Sequence, residues 1–64
     1  MPLIYVDGGS VTGLSIEEIY ARIANRDFYK VIVGNKEFKL SGSKIKNQAR
    51  RLAGVEQVVI MPIS

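Results

Sequence analysis

Hydrophobic and polar positions along this chain fall into short runs whose period switches between two and roughly three and a half. Leu3-Ile4-Tyr5-Val6 is a β-favouring run closed by Asp7-Gly8-Gly9, which predicts a strand ending in a turn. After a loop through Gly13, Ser15-Ile16-Glu17-Glu18 has the spacing of a capping box, with Leu14 and Ile19 placed for a hydrophobic staple. Ile16, Ile19, Tyr20, Ile23 and Ala24 then recur on one face of a helix. Phe28 to Val33 and Lys36 to Leu40 flank Gly34-Asn35, a two-residue loop of the kind that closes a β-hairpin. That register pairs Val33 with Lys36, Val31 with Phe38 and Tyr29 with Leu40 on the expected core face. Ile32 meets Glu37, and Lys30 meets Lys39, on the other.

Ser41-Gly42-Ser43 opens a second predicted helix whose apolar face is Ile45, Ala49, Leu52 and Ala53. Gly54 follows as a candidate left-handed C′ residue. Val55 to Met61 reads as a last strand, ended by Pro62, which cannot donate to a ladder. The order β-α-β-β-α-β in one domain of 64 residues predicts an α+β, ferredoxin-like split βαβ fold. Two helices would cover one face of a four-stranded antiparallel sheet. In the alternative, Ser10-Val11-Thr12 pairs back on the first strand, giving an N-terminal β-hairpin followed by α-β-β-α-β.

Composition narrows the chemistry. The chain has neither cysteine nor histidine, which removes disulfides, thiolate nucleophiles, imidazole catalysis and the usual zinc ligands together. No cofactor or metal is expected. A domain this small buries only about 60% of its unfolded surface, so it needs dense packing or a partner chain. Fifteen valines and isoleucines argue for the first. No apolar run approaches the roughly 20 residues of a membrane span, and no secretory signal is read at the N-terminus. A cytoplasmic setting without membrane contact is the expectation.

The net charge of +3 is unevenly spread. Residues 1–32 carry four acids and three bases, whereas residues 33–64 carry six bases and two acids. On a helical wheel, Lys44, Asn47, Gln48, Arg50 and Arg51 fill the arc opposite the apolar face, with Lys46 at its border. Cations and amides without a carboxylate are the residues that contact phosphates. Lys36 and Lys39 extend this set. Lys30 joins it because a like-charged pair with Lys39 is mildly destabilising unless an anion, or Glu37 alongside, relieves it.

Three local patterns resemble known sites. Gly8 to Ser15 has the glycine spacing of a phosphate-binding P-loop, but Leu14 stands where that motif needs its lysine. Met1-Pro2 heading a strand resembles the small tautomerases, in which an N-terminal proline acts as the base. The helix and hairpin that follow depart from their long single helix. Leu3-Ile4-Tyr5-Val6-Asp7 resembles the first-strand motif of RNA-recognition modules, which implies an aromatic, Tyr5, on an open sheet face. The strand Lys36 to Leu40 lacks the further aromatics that family carries.

Val58-Val59-Ile60-Met61 is apolar at every position, and in the ferredoxin-like order the last strand lies at an edge. An apolar edge invites a second copy, so a homodimer through these four residues is expected. The acids Asp7, Glu17, Glu18, Asp27, Glu37 and Glu56 form no obvious catalytic pair, and an enzyme is not expected. The leading expectation is a nucleic-acid-binding or regulatory protein using the basic second helix, with DNA or RNA as partner. The alternative is a protein-interaction module such as an adaptor, assembly factor or inhibitor, acting through the apolar strand or the basic helix.

Overall fold

The structure, a computed structural model, describes residues 3–55 and 57–63. Pro2, the residue behind the tautomerase resemblance, and Glu56 lie outside them. Leu3–Asp7 forms β1 and Ser10–Gly13 forms β2, joined by Gly8-Gly9. Both glycines have positive φ, 58° and 94°, as a type I′ hairpin turn requires. The register runs Asp7 opposite Ser10, Val6 opposite Val11, Tyr5 opposite Thr12 and Ile4 opposite Gly13. The glycine-rich stretch is therefore a hairpin rather than a phosphate loop, and the element order is that of the alternative fold.

Helix α1 spans Ile16–Arg22 and carries the complete capping box at Ser15. Leu14 and Ile19, the staple pair, are both fully buried. β3 (Phe28–Val33) and β4 (Lys36–Ser41) form the second hairpin in the register the sequence predicts. Gly34 alone of its two loop residues has positive φ, 60°, which makes the turn type II′. Ser41 ends β4 and at once caps α2 (Gly42–Asn47), accepting from the Lys44 amide at 3.3 Å.

The second predicted helix is divided. α2 ends at Asn47 and α3 spans Ala49–Ala53, with Gln48 between them at φ −106°, ψ 10°. The hydrogen-bond ladder nevertheless continues through the joint, from Gln48 to Lys44 at 3.1 Å and from Leu52 to Gln48 at 2.8 Å. Gly54 ends α3 in the right-handed region, not the left-handed one expected, because its amide bonds back to Arg51 and tightens the last turn. β5 spans Val58–Pro62, three residues later than the predicted start. Val55 instead packs against the core.

One mixed sheet holds all five strands in the order β2-β1-β5-β3-β4. β5 runs parallel to β1 and antiparallel to β3. The ferredoxin-like sheet of four antiparallel strands is thus replaced by an α+β fold with a five-stranded mixed sheet and three short helices. The decisive difference is the place of β5, which is central and not an edge. Its unbroken apolar run suits that position, since a strand paired on both sides has no edge to guard with charges. The core lies between the sheet and the helices. Leu3, Tyr29, Val31, Val58 and Ile60 meet Leu14, Ile19, Ile23, Ile45, Ala49 and Leu52.

Candidate interaction surfaces

Strand alternation divides the sheet side chains into two sets. Leu3 and Tyr5 share the helix-facing side with Val58, Ile60 and the buried residues of β3. Tyr5 consequently packs against the core, which overturns its expected place on an open face. Burial, and secondly the Asp7 carboxylate, push its hydroxyl above the ordinary tyrosine range.

Among the described residues the second side carries no helix. Ile4, Val59 and Ile32 line up across β1, β5 and β3, ending at Glu37 on β4. Val6 pairs with Val11 on one flank, while Met61 lies beside Lys30 and then Lys39 on the other. Phe28 and Ile63 close the face at one end, where the Ile63 amide bonds to the Phe28 carbonyl at 3.1 Å. Val11, Phe28 and Ile63 are 70%, 50% and 40% exposed. Two hollows mark its ends. One of about 450 Å³ is bounded by Val6, Met61, Ile63 and the Gly8-Gly9 turn, and one of about 220 Å³ by Ile32, Val59, Gly34 and Gln57.

Lys30 and Lys39 do face each other here, as the sequence predicts, and each has a partner of its own. Lys30 Nζ lies 3.3 Å from Glu37 Oε1, and Lys39 Nζ sits 5.3 Å from the centroid of the Phe28 ring. The carboxylate and the ring face relieve the like-charge pair locally.

The other predicted cations lie on the helical layer. Lys44, Asn47, Arg50 and Arg51 are exposed, and Lys46 is half-buried. The Lys46 carbonyl accepts from the Tyr20 hydroxyl at 3.1 Å, tying α2 to α1 and leaving Tyr20 54% exposed although it shares a face with core residues. Lys36 follows the helix-facing parity of β4, opposite Val33. The eight predicted site residues are therefore split. Lys36, Lys44, Lys46, Asn47, Arg50 and Arg51 belong to the helical side, while Lys30 and Lys39 are on the open face, turned away from it.

Of the dimer residues, Val58 and Ile60 are fully buried in the core and available to nothing else. Val59 and Met61 remain on the open face. Both edges of β5 are paired, so a second copy cannot add to it edge-on. The open apolar face was missed as a unit. Its signal is present in Leu3-Ile4-Tyr5-Val6 and Val58-Val59-Ile60-Met61, two strands apolar on both parities where a single covered face needs only one.

Among the described residues no cluster of acids could hold a metal ion, and no helix is long and apolar enough to cross a membrane. No protein-family model matches the chain, and no curated protein or solved structure shows significant similarity to it.

Proposed function

We propose that this chain is a non-enzymatic protein-interaction module that works through the open face of its sheet, with a second copy of itself as partner. The uncovered apolar face carries the reading. A layer of strands ordinarily buries its apolar side against another layer, and four strands here bring Ile4, Val6, Val11, Ile32, Val59 and Met61 to a side without one. The molecule measures 26 × 23 × 20 Å. Pairing two such faces would bury on the order of 1,200 Å² in total, the lower end of the range for stable interfaces. Charges of both signs, Lys30, Lys39 and Glu37, lie along one flank, so two copies related by a two-fold axis need not oppose like with like.

Sedimentation equilibrium tests this reading. The wild-type chain is expected to dimerise at micromolar concentration. Val11→Lys with Met61→Lys, both outside the core, should be monomeric with an unchanged circular dichroism spectrum. A wild-type chain that stays monomeric at millimolar concentration overturns the proposal.

A second reading, nucleic-acid binding, is favoured by one observation. Lys44, Arg50 and Arg51 are exposed on α2 and α3, a segment without a carboxylate. Such a surface would neutralise phosphates with little base readout. Affinity for duplex DNA or RNA should then fall steeply between 50 and 200 mM salt, and again with Arg50→Gln and Arg51→Gln. Affinity indifferent to both changes removes this reading.

A further inference from the structure

We propose that the groove between β4 and α3 is a docking site for an extended acidic peptide, which joins the sheet along β4 as a sixth strand. This surface is separate from the open face. Two observations on the same strand converge on it.

The first is the free edge. β4 is terminal in the sheet, paired with β3 on one side only. The two-residue loop makes Val33 and Lys36 a hydrogen-bonded pair, and the alternation of an antiparallel ladder follows from there. Phe38 and Leu40 therefore turn their amides and carbonyls toward β3. Those of Glu37 and Lys39 point outward, ready to bond an incoming chain.

The second is the gap beside that edge. On the inner side of the sheet, over β4, the helices leave a groove of about 250 Å³. Val31, Val33, Phe38 and Leu40 form its floor, and Gln48 of the joint and Leu52 of α3 form its wall. Phe38 is the consequence. The sequence places it on the core face, and it is on that side, yet it remains 44% exposed because nothing covers it. An edge that supplies backbone partners next to a groove that takes alternate side chains is the arrangement required for strand addition. The opposite edge, β2, has four residues, and the hollows described border no part of it beyond its turn.

Charge selects the occupant. Lys36 shares the groove-facing parity of β4 with Phe38 and Leu40. Lys44 and Arg51 lie four residues before and three after Gln48, the spacings that make neighbours on a helix surface. The lining and these flanking positions include no carboxylate. Glu37, the one acid of β4, is on the other face and bound to Lys30. A strand whose groove-facing positions, every second residue, take turns between small apolar side chains over the floor and glutamate or aspartate at the rim satisfies both surfaces, and one with lysine at the rim positions is repelled.

A capped, fluorescein-labelled octapeptide with the repeat Val-Thr-Glu-Thr, which puts valine and glutamate on the same face of the strand, is the probe, with its lysine-for-glutamate counterpart as control. Anisotropy should saturate for the acidic peptide alone. Gln48→Glu with Arg51→Glu, both exposed, should weaken it at least tenfold without altering the fold. On binding, amide exchange at Glu37 and Lys39 should slow, because those two donors become hydrogen-bonded. The Val11→Lys, Met61→Lys variant should bind equally well, which separates this site from the sheet-face interface. Absence of saturable binding at millimolar peptide, or binding that leaves the Glu37 and Lys39 amides unprotected, overturns the proposal.

Discussion

Gly42 has neither a turn to make nor a positive φ to adopt, yet no other residue can stand in its place. Its amide donates to the Asp27 carbonyl at 2.8 Å, and this brings the start of α2 hard against the segment leaving α1. A Cβ there would collide with the Ala24 carbonyl oxygen, lie 2.6 Å from its carbon and 3.0 Å from Ile23 Cγ2. Most of what it meets is backbone, which cannot swing aside as a side chain end would. Gly42→Ala is therefore expected to cost about 3 kcal/mol, at the upper end of overpacking penalties. Urea unfolding will show it, and a midpoint equal to wild type would mean the two segments separate easily. In the sequence, Ser41-Gly42-Ser43 reads as an ordinary helix opening. The contact that demands glycine involves residues nearly twenty positions away, so no local pattern announces it.

At the scale of elements, α1 is governed by its cap. Ser15 Oγ accepts from the Glu18 amide at 3.2 Å, and Glu18 Oε1 accepts from the Ser15 amide at 3.0 Å. The backbone hydrogen bond from Ser15, then the one involving its side chain, hold the Glu18 carboxyl below the usual carboxylate range. The folded pKa lies below the unfolded one. The cap's contribution is thus complete above the unfolded value, about 4.3, and is lost as pH falls through the folded value. Unfolding midpoints of wild type and Glu18→Gln should differ at pH 7 and converge below about pH 4. A difference that persists at pH 3 would show that the carboxylate's charge is not what holds the helix end. This cap was legible because all its parts lie within four residues. So was the β3–β4 hairpin, whose register follows from Gly34-Asn35 alone. β2 was harder, since a four-residue strand ending in glycine has little pattern of its own. Its pairing depends on the Gly8-Gly9 turn and on β1 being anchored by β5. The exposure of Phe38 was invisible for a similar reason. Alternation gives the side of the sheet a residue faces, but not whether a helix reaches over it.

For the whole molecule the governing fact is that one layer of helices covers one side of the sheet. A domain this small has little stability to spare, and an uncovered apolar face cannot contribute to it until something packs there. The melting temperature of the wild-type chain should therefore rise with protein concentration, while that of the Val11→Lys, Met61→Lys variant should not. A concentration-independent wild-type transition would count against self-association. Face-to-face pairing also fixes where the cations go. The helical layers of the two copies end up on opposite outer surfaces, so the dimer presents Arg50 and Arg51 in two directions and does not merge them into one broad basic patch. The last strand was expected at an edge because a four-stranded fold was expected. Its own composition, apolar on both parities, was the better guide.

The central place of β5 has a consequence in time. The hairpins β1–β2 and β3–β4 share a sheet only through it, and it follows both in the chain. Hairpins form in microseconds. Until β5 docks, β1 and β3 each present an unfilled edge to the same slot, and a β5 from the same chain or from a second copy can fill it. Insertion from a neighbour would produce exchanged dimers with the native sheet intact. A high local concentration of incompletely folded chains is thus the condition under which this strand order is most exposed to error.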